Sequence, residues 1–225
     1  VKILIICSNL VGDTILSSGV ITHFKEIFPN ASYNFVIGPT AKPLLKNVSN
    51  IESLISINKK RYNLHWLIIY LKTFRTKWDI VVDLRSSLLH LFLKNKKKYI
   101  FKKSKNMHHV NQLSDSLGFN CSKITNFICE EEEIEAKKIL NKKYKYLVVF
   151  PGGNWIPKIW DVENYNEMLI RINKLNKKVK FIIVGSFIEK KKYLKKVSKN
   201  LPSNSIIDLF GKSLTQTAAV MKHSD

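Results

Sequence analysis

Two successive series of short apolar runs and amphipathic helical patterns constrain the fold more than any other feature of this chain. The first series opens with the β-branched run from Lys2 to Cys7, and the second opens at Tyr146 and continues to Lys222. Short, fully apolar runs are typical of strands buried on both faces, and strands that alternate with helices predict parallel β-α-β units. The sequence therefore predicts an α/β protein with two Rossmann-like domains, residues 1–143 and 144–225, and a ligand at the carboxyl ends of the strands.

A polar helical pattern lies at the predicted domain junction. It begins at the acidic run Glu130 to Glu133 and ends near Lys143. Earlier in the chain, the pattern from Asn63 to Phe74 contains the apolar stretch Leu64 to Leu71. This stretch is far shorter than the roughly 18 apolar residues of a membrane-spanning helix, so we predict a largely buried helix here.

The chain is strongly basic, with 38 lysine and arginine residues against 17 acidic residues and a formal net charge of +21. Such a charge is typical of proteins that bind anions, including nucleic acids. The lysines, however, occur in solvated runs such as Lys94 to Lys98 and Lys190 to Lys196, without zinc-finger spacing or an aromatic RNA-binding signature. We therefore expect no specific nucleic acid and instead expect peripheral contact with an anionic membrane surface.

The cysteines and the first residues indicate the compartment. Cys7, Cys121 and Cys129 are odd in number and lack C-x-x-C spacing, which argues against a disulfide scaffold and a structural zinc site. The run from Val1 to Ile6 lacks the charged segment, the long apolar core and the cleavage site of a secretory signal. We therefore expect the reducing cytoplasm.

One segment has the pattern of an anion-binding turn. The apolar run from Leu147 to Phe150 stops at Pro151-Gly152-Gly153, Lys158 follows, and a helical pattern begins at Val162. A strand, a glycine turn and a helix start present backbone N–H groups and a positive helix end to an anion. Lys158 would add a point charge, most simply to a diphosphate. An ordinary strand-to-helix loop is the alternative interpretation of the same residues.

A second candidate loop follows the first predicted strand. Gly12 would let the backbone turn tightly, and Asp13 would lie near the amino end of the next helix. An aspartate in that position is commonly an N-cap; alternatively, Asp13 is a general base. The loop lacks the G-x-G-x-x-G fingerprint of nicotinamide-dependent enzymes.

Several other side chains have both a functional and a structural interpretation. Arg85 follows a predicted strand, where it would contact an acceptor phosphate or sugar acid, or else form a strand-end salt bridge. Trp155 and Trp160 would pack over a ligand or in the core. His108 and His109 have no carboxylate or cysteine at metal-ligand spacing, so we interpret them as surface residues and expect no metal site.

Four segments along the chain match, in order, the motifs of one known family. The opening strand leads into Gly12-Asp13 and an apolar helix that ends at Phe28-Pro29. The segment from Pro151 to Trp160, with Lys158, has the pattern P-G-x-x-x-x-x-K-x-W. Ile182 to Ser186 resembles a later glycine loop of that family. Leu209-Phe-Gly-Lys-Ser-Leu214 resembles its L-x-G-x-x-S/T-L segment, with one residue fewer between the glycine and the serine. The chain thereby resembles, over nearly its whole length, the ADP-heptose:lipopolysaccharide heptosyltransferases, the ninth glycosyltransferase family.

The resemblance implies a GT-B architecture, in which two Rossmann-like domains face a cleft and bind the acceptor and the sugar nucleotide respectively. It implies inverting transfer of heptose, or a related sugar, from an ADP-sugar to the lipopolysaccharide inner core. No catalytic metal and no cofactor are implied, since the ADP-sugar is a substrate. Asp13 matches the family's proposed base, with Gly12 and Arg85 on the acceptor side. The donor and phosphate candidates are Lys158, Gly152, Gly153, Asn154, Gly185, Ser186 and Glu189.

The resemblance also has a gap. A family segment of D-[ST]-G-x-x-H type does not occur before the chain ends at Asp225, and the chain begins at Val1 without methionine. We therefore expect a C-terminally truncated form with an incomplete second domain. We expect it in the cytoplasm, with peripheral contact at the cytoplasmic face of the inner membrane. Two other classes stay open: a non-catalytic nucleotide-sugar-binding relative and a basic nucleic-acid-binding protein.

Overall fold

Contacts within the chain divide it into two units, Val1–Phe127 and Ile128–Asp225. The computed structural model describes residues 1–58, 61–104, 106–153 and 155–225. Helix Glu130–Ile139, which the sequence assigned to the first domain, belongs to the second unit. It packs against the last helix, Leu214–Lys222, because both present small and apolar side chains, such as Ala136 and Ala219, to one cluster.

A five-stranded parallel sheet forms the centre of the first unit, in the order β3-β2-β1-β4-β5. Its strands are β1 (Lys2–Ile6), β2 (Ser32–Ile37), β3 (Ile51–Ser56), β4 (Trp78–Asp83) and β5 (Asn95–Ile100). The apolar side chains of β1 and β4 are buried on both faces, as their β-branched sequences predict. Strand order reverses beside β1, so the carboxyl ends of β1 and β4 mark the expected ligand position.

Helices cover both faces of this sheet. They are α1 (Val11–Leu16), α2 (Gly19–Ile27), α3 (Leu64–Thr73), α4 (Leu89–Phe92) and α5 (His109–Leu117), with a 3-10 segment at Lys42–Asn47. The core on one face includes side chains of α2 and α5, and the core on the other includes side chains of α3 and α4. The run Lys96 to Lys98, interpreted above as solvated, lies in the edge strand β5, where exposed lysines oppose pairing with another sheet.

The burial of α3 differs from the prediction. His65, Ile69 and Thr73 are four residues apart, so they lie on one side of the helix, and all three are buried. Leu67 and Leu71 lie elsewhere on the helix and are exposed. The helix is therefore buried along one side only, although its sequence is apolar around most of its circumference. Among the described residues, no helix has the length and the apolar character needed to cross a bilayer.

The second unit has a three-stranded parallel sheet in the order β6-β7-β8. Its strands are β6 (Lys145–Val149), β7 (Val179–Ile183) and β8 (Ile206–Asp208), and its helices are α6 (Glu130–Ile139), α7 (Val162–Leu175), α8 (Phe187–Val197) and α9 (Leu214–Lys222). The core formed with α7 and α8 lies on one face, and the core formed with α6 and α9 lies on the other. Each face of the sheet is thus covered by a pair of helices.

Candidate functional site

The carboxyl ends of β1 and β4 bring two predicted loops together. Ile6 and Asp83 are paired in the sheet, so the chain leaves both strands at the same edge. Arg85 Nη1 donates a hydrogen bond to Asn9 Oδ1 over 2.7 Å, and the hydroxyl of Thr40 donates to the Asn9 carbonyl over 3.0 Å. The loop after β1 is thereby fixed to the loops after β2 and β4.

Asp13 lies in the first turn of α1 and is not the N-cap. The N-cap position belongs to Leu10, which has no capping side chain. The half-buried Asp13 carboxylate accepts a hydrogen bond from Ser8 Oγ over 3.0 Å. Gly12 lies inside the helix, where a Cβ would meet no atom within 4 Å, so its predicted role in a tight turn is wrong. The space around the Gly12 Cα, next to Asp13 in sequence, is therefore open.

His109 lies beside this group, although no sequence pattern predicts that position. Its Nε2 lies 3.3 Å from Ser17 Oγ, and the Ser17 N–H donates to the Asp13 carbonyl over 2.9 Å. Burial lowers the pKa of His109 from its usual value, and the negative charge of Asp13 opposes this shift. The surface interpretation therefore holds for the exposed His108 but is wrong for the half-buried His109.

Arg85 makes contacts other than the predicted strand-end salt bridge. Its guanidinium stacks over the Trp66 ring at 5.1 Å and bonds to Asn9. The Asp83 carboxylate instead accepts from the Arg85 backbone N–H and lies 2.9 Å from His90 Nδ1. Burial lowers the pKa of Arg85 from its usual value, with Asp83 acting in the opposite direction.

Four predicted donor residues meet at the start of α8. Ser186 caps this helix: Glu189 Oε2 accepts from the Ser186 N–H over 2.7 Å and from its hydroxyl over 2.6 Å, and Ser186 Oγ accepts from the Glu189 N–H. The other Glu189 oxygen packs so closely on Gly152 that a Cβ there would overlap it. Gly185 has a φ of +157°, which residues with a side chain rarely adopt. A Cβ at this position would also overlap the Phe210 ring.

This group has the properties of an anion site. The carboxyl ends of β6 and β7 are adjacent, which places the glycine loop after β6 beside the amino end of α8. The 11-residue helix α8 directs its positive end and its first N–H groups toward that edge. The carboxylate of Glu189 occupies part of the same edge and accepts the N–H and the hydroxyl of Ser186.

The remaining donor candidates lie on the segment between β6 and α7. A Cβ on Gly153 would contact the Ile159 side chain, and Lys158 Nζ lies 4.6 Å from the centre of the Trp155 ring. Trp155 and Trp160 are both exposed, so the core interpretation of these tryptophans is wrong. Asn154 lies outside the described residues. Lys158 is exposed on a short 3-10 turn, Ile156–Lys158, that precedes α7.

In the part of the chain that the structure describes, no group of three or more His, Cys, Asp or Glu side chains is arranged to hold a metal ion. The charged groups at the two sheet edges include the carboxylates of Asp13, Asp83 and Glu189, the guanidinium of Arg85 and the ammonium of Lys158. They are suited to proton transfer and to anion binding.

Comparisons with known proteins identify the fold. No family model and no curated protein sequence matches this chain. A glycosyltransferase of family 9 from Veillonella parvula is 18% identical, with a TM-score of 0.71, over 99% of this chain and 73% of that protein. The E. coli heptosyltransferase WaaC, solved with ADP, is 14% identical, with a TM-score of 0.72, over 98% of this chain and 78% of that protein.

A second enzyme class shares the fold. A UDP-GlcNAc 2-epimerase from Methanocaldococcus jannaschii is 13% identical, with a TM-score of 0.59, over 100% of this chain and 77% of that protein. The predicted α/β, GT-B-type fold is thus confirmed, and the likeness to the heptosyltransferases that the motifs indicated is found again in the backbone.

Proposed function

We propose that this chain is an inverting, metal-independent glycosyltransferase that moves heptose, or a related sugar, from an ADP-sugar to the inner core of lipopolysaccharide. The observation that carries the proposal is the meeting of Gly152, Gly185, Ser186 and Glu189 at the amino end of α8. Close backbone packing around a helix N-terminus suits a diphosphate. The fold likeness to a heptosyltransferase solved with ADP supports the same ligand.

The second unit would hold the donor. The N–H groups at the start of α8 and in the loop of Gly152 and Gly153 would bind the diphosphate, and Lys158 would add a cation. These groups stabilise the negative charge that grows on the departing ADP, which is the largest electrostatic demand of the reaction. A metal ion is not required in this scheme, because a helix end and an ammonium supply the positive charge.

Asp13 would act as the general base. Its carboxylate takes the proton of the acceptor hydroxyl while that oxygen forms the bond to the anomeric carbon. The bond between the anomeric carbon and the diphosphate oxygen breaks, ADP leaves with the electron pair, and the configuration inverts because attack and departure occur on opposite faces. Ser8, whose hydroxyl bonds to Asp13, would keep the carboxylate oriented.

The test is Asp13→Asn. A positioned base contributes about 10²- to 10⁴-fold to rate, so we expect sugar transfer from ADP-heptose to a heptose-deficient lipopolysaccharide core to fall by that factor. Calorimetric binding of ADP should stay unchanged, because Asp13 lies in the first unit and the donor group in the second. The matched control is Asp115→Asn, an exposed aspartate of α5. Wild-type activity in Asp13→Asn would refute the assignment of the base.

Two alternatives give different results in the same assays. A non-catalytic relative would bind ADP-heptose without turning it over, even with excess acceptor. A basic nucleic-acid-binding protein would bind DNA or RNA with a steep salt dependence and would not bind ADP. Transfer that persists in EDTA, with a product of inverted anomeric configuration by NMR, would support the metal-independent inverting reaction.

A further inference from the structure

The outer side of α3 is an exposed apolar surface. Leu64, Leu67 and Leu71 follow one another at helical spacing and are all about half exposed or more. A helix that is apolar on both sides is normally buried on both. The packing of α3 on the sheet therefore buries only one of its two apolar sides.

A second exposed apolar group lies next to the first. Leu88, Leu91 and Phe92 are 69%, 58% and 65% exposed, and Phe92 reaches the Tyr70 ring of α3, with centroids 6.3 Å apart. Between the two helices lies an open pocket of about 680 Å³, whose lining includes Trp66, Leu67, Tyr70, Leu88, Phe92 and Arg85. We call the exposed residues Leu64, Leu67, Leu71, Leu88, Leu91 and Phe92, with this pocket, the α3–α4 surface. Contiguous patches of this kind mark interaction sites, whereas single exposed leucines do not.

The sequence around the α3–α4 surface is exclusively basic. Residues 61–77 contain four lysines and arginines, residues 84–98 contain five, and neither segment contains an aspartate or a glutamate. Of the two carboxylates in the intervening strand, Asp79 pairs with Lys96, and Asp83 is fully buried beside His90. The segments that carry the apolar residues of the α3–α4 surface thus hold nine lysines and arginines and no acidic side chain.

We propose that the α3–α4 surface docks the protein on a bilayer that contains anionic phospholipid. Leucine and phenylalanine side chains would enter the boundary between headgroups and acyl chains, while lysines and arginines meet the lipid phosphates. A second copy of the chain fits this surface less well, because a symmetric pair would bring two basic rims together. Arg85 lines the pocket and also bonds to Asn9, so docking would place the lipid surface next to the loop that leads to Asp13.

Vesicle flotation tests the apolar part of the proposal without any sugar transfer. The full chain should float with vesicles of equal parts phosphatidylcholine and phosphatidylglycerol and not with phosphatidylcholine alone. Leu88→Gln/Phe92→Gln should weaken binding about tenfold or more, since apolar insertion is lost. The control, Leu175→Gln/Met221→Gln, changes two exposed apolar residues of the second unit and should bind normally.

Unchanged vesicle binding by a Leu88→Gln/Phe92→Gln variant that is folded and has the wild-type melting temperature would overturn the proposal. If that variant does not fold, Leu71→Gln replaces it.

The second pair of variants separates this surface from a general effect of the +21 charge. Lys72→Gln/Arg75→Gln removes two cations beside the α3–α4 surface and should weaken binding by roughly tenfold or more. Lys191→Gln/Lys195→Gln removes the same charge from α8 and should have little effect. An equal loss in both variants would refute a defined docking surface. A lipid-free dimer that Leu88→Gln/Phe92→Gln dissociates in sedimentation velocity would also refute it, because the surface would then bind a second copy.

Discussion

Ser8 Oγ donates a hydrogen bond to Asp13 Oδ2 over 3.0 Å and accepts one from the Leu10 N–H over 3.3 Å. The Asp13 carboxylate is therefore oriented by the loop that follows β1. Ser8→Ala removes this bond, and a hydrogen bond to a charged group is worth about 1.5–3 kcal/mol, so we expect kcat of the proposed transfer to fall roughly tenfold. The affinity for ADP should not change. Ser122→Ala, at an exposed serine of the same unit, is the control, and full activity of Ser8→Ala would contradict an orienting role.

Gly152 and Gly153 should respond differently to the same added methyl group. Gly152→Ala places a Cβ against the Glu189 carboxylate, so the capping interaction of Glu189 with Ser186 must shift, and we expect weaker ADP binding. Gly153→Ala meets only the Ile159 side chain, at a distance where that side chain can adjust. Calorimetric titration of both variants with ADP measures the difference. Equal affinities would show that the approach of Glu189 to the glycine loop does not matter for the nucleotide.

The imidazole of His109 should titrate below its ordinary pKa of 6.5, because burial penalises the charged form. Asp13 acts in the opposite direction, so Asp13→Asn should lower the pKa of His109 further. NMR titration of the His109 imidazole signals in the wild type and in Asp13→Asn measures both values. A rise of the His109 pKa in Asp13→Asn would contradict the charge coupling between these two residues.

The same shift predicts how stability depends on pH. The pKa of His109 is lower in the folded chain than in the unfolded chain. As the pH falls below about 6.5, His109 is therefore protonated in the unfolded chain before it is protonated in the folded chain. The free energy of unfolding should therefore decrease from pH 7 toward pH 5, and its slope should become smaller in His109→Gln. Urea unfolding at several pH values provides the measurement. An unchanged slope in the variant would assign the pH dependence to other groups.

Thr215 connects the first and last helices of the second unit. Its hydroxyl donates to Glu132 Oε1 over 2.5 Å, and both residues are buried. Thr215→Val deprives a buried carboxylate of a donor, so the free energy of unfolding should drop by about 1–3 kcal/mol. Thr217→Val, a half-buried position of the same helix, should cost less. Chemical denaturation followed by circular dichroism would compare them; similar losses would argue against a special role for the Thr215 bond.

The sequence predicted the regular elements well where local signals were complete. Helix α7 begins at Val162 and α9 ends at Lys222, as predicted, and the structure adds a capping box of Ser213 with Gln216 at the start of α9. The short helix α1 was missed, because it has six residues and includes Gly12, too little for a helical period. Helix α3 was predicted correctly as a helix. Because its apolar residues occur around most of its circumference, its sequence does not indicate which side packs against the sheet.

The residues of the candidate site were identified from the sequence, whereas their partners were not. Asp13, Arg85, Gly152 and Glu189 were identified from loops at strand ends and from the family resemblance. The tertiary fold brings the neighbours of these residues together: Ser17 meets His109 across 92 residues, and Arg85 meets Asn9 across 76. Local periodicity reports the conformation of a segment, but such contacts depend on the order of the strands in the sheet. The sequence by itself therefore determined the α/β class and the candidate loops, while the tertiary structure decided which side chains share a site and which apolar face stays exposed.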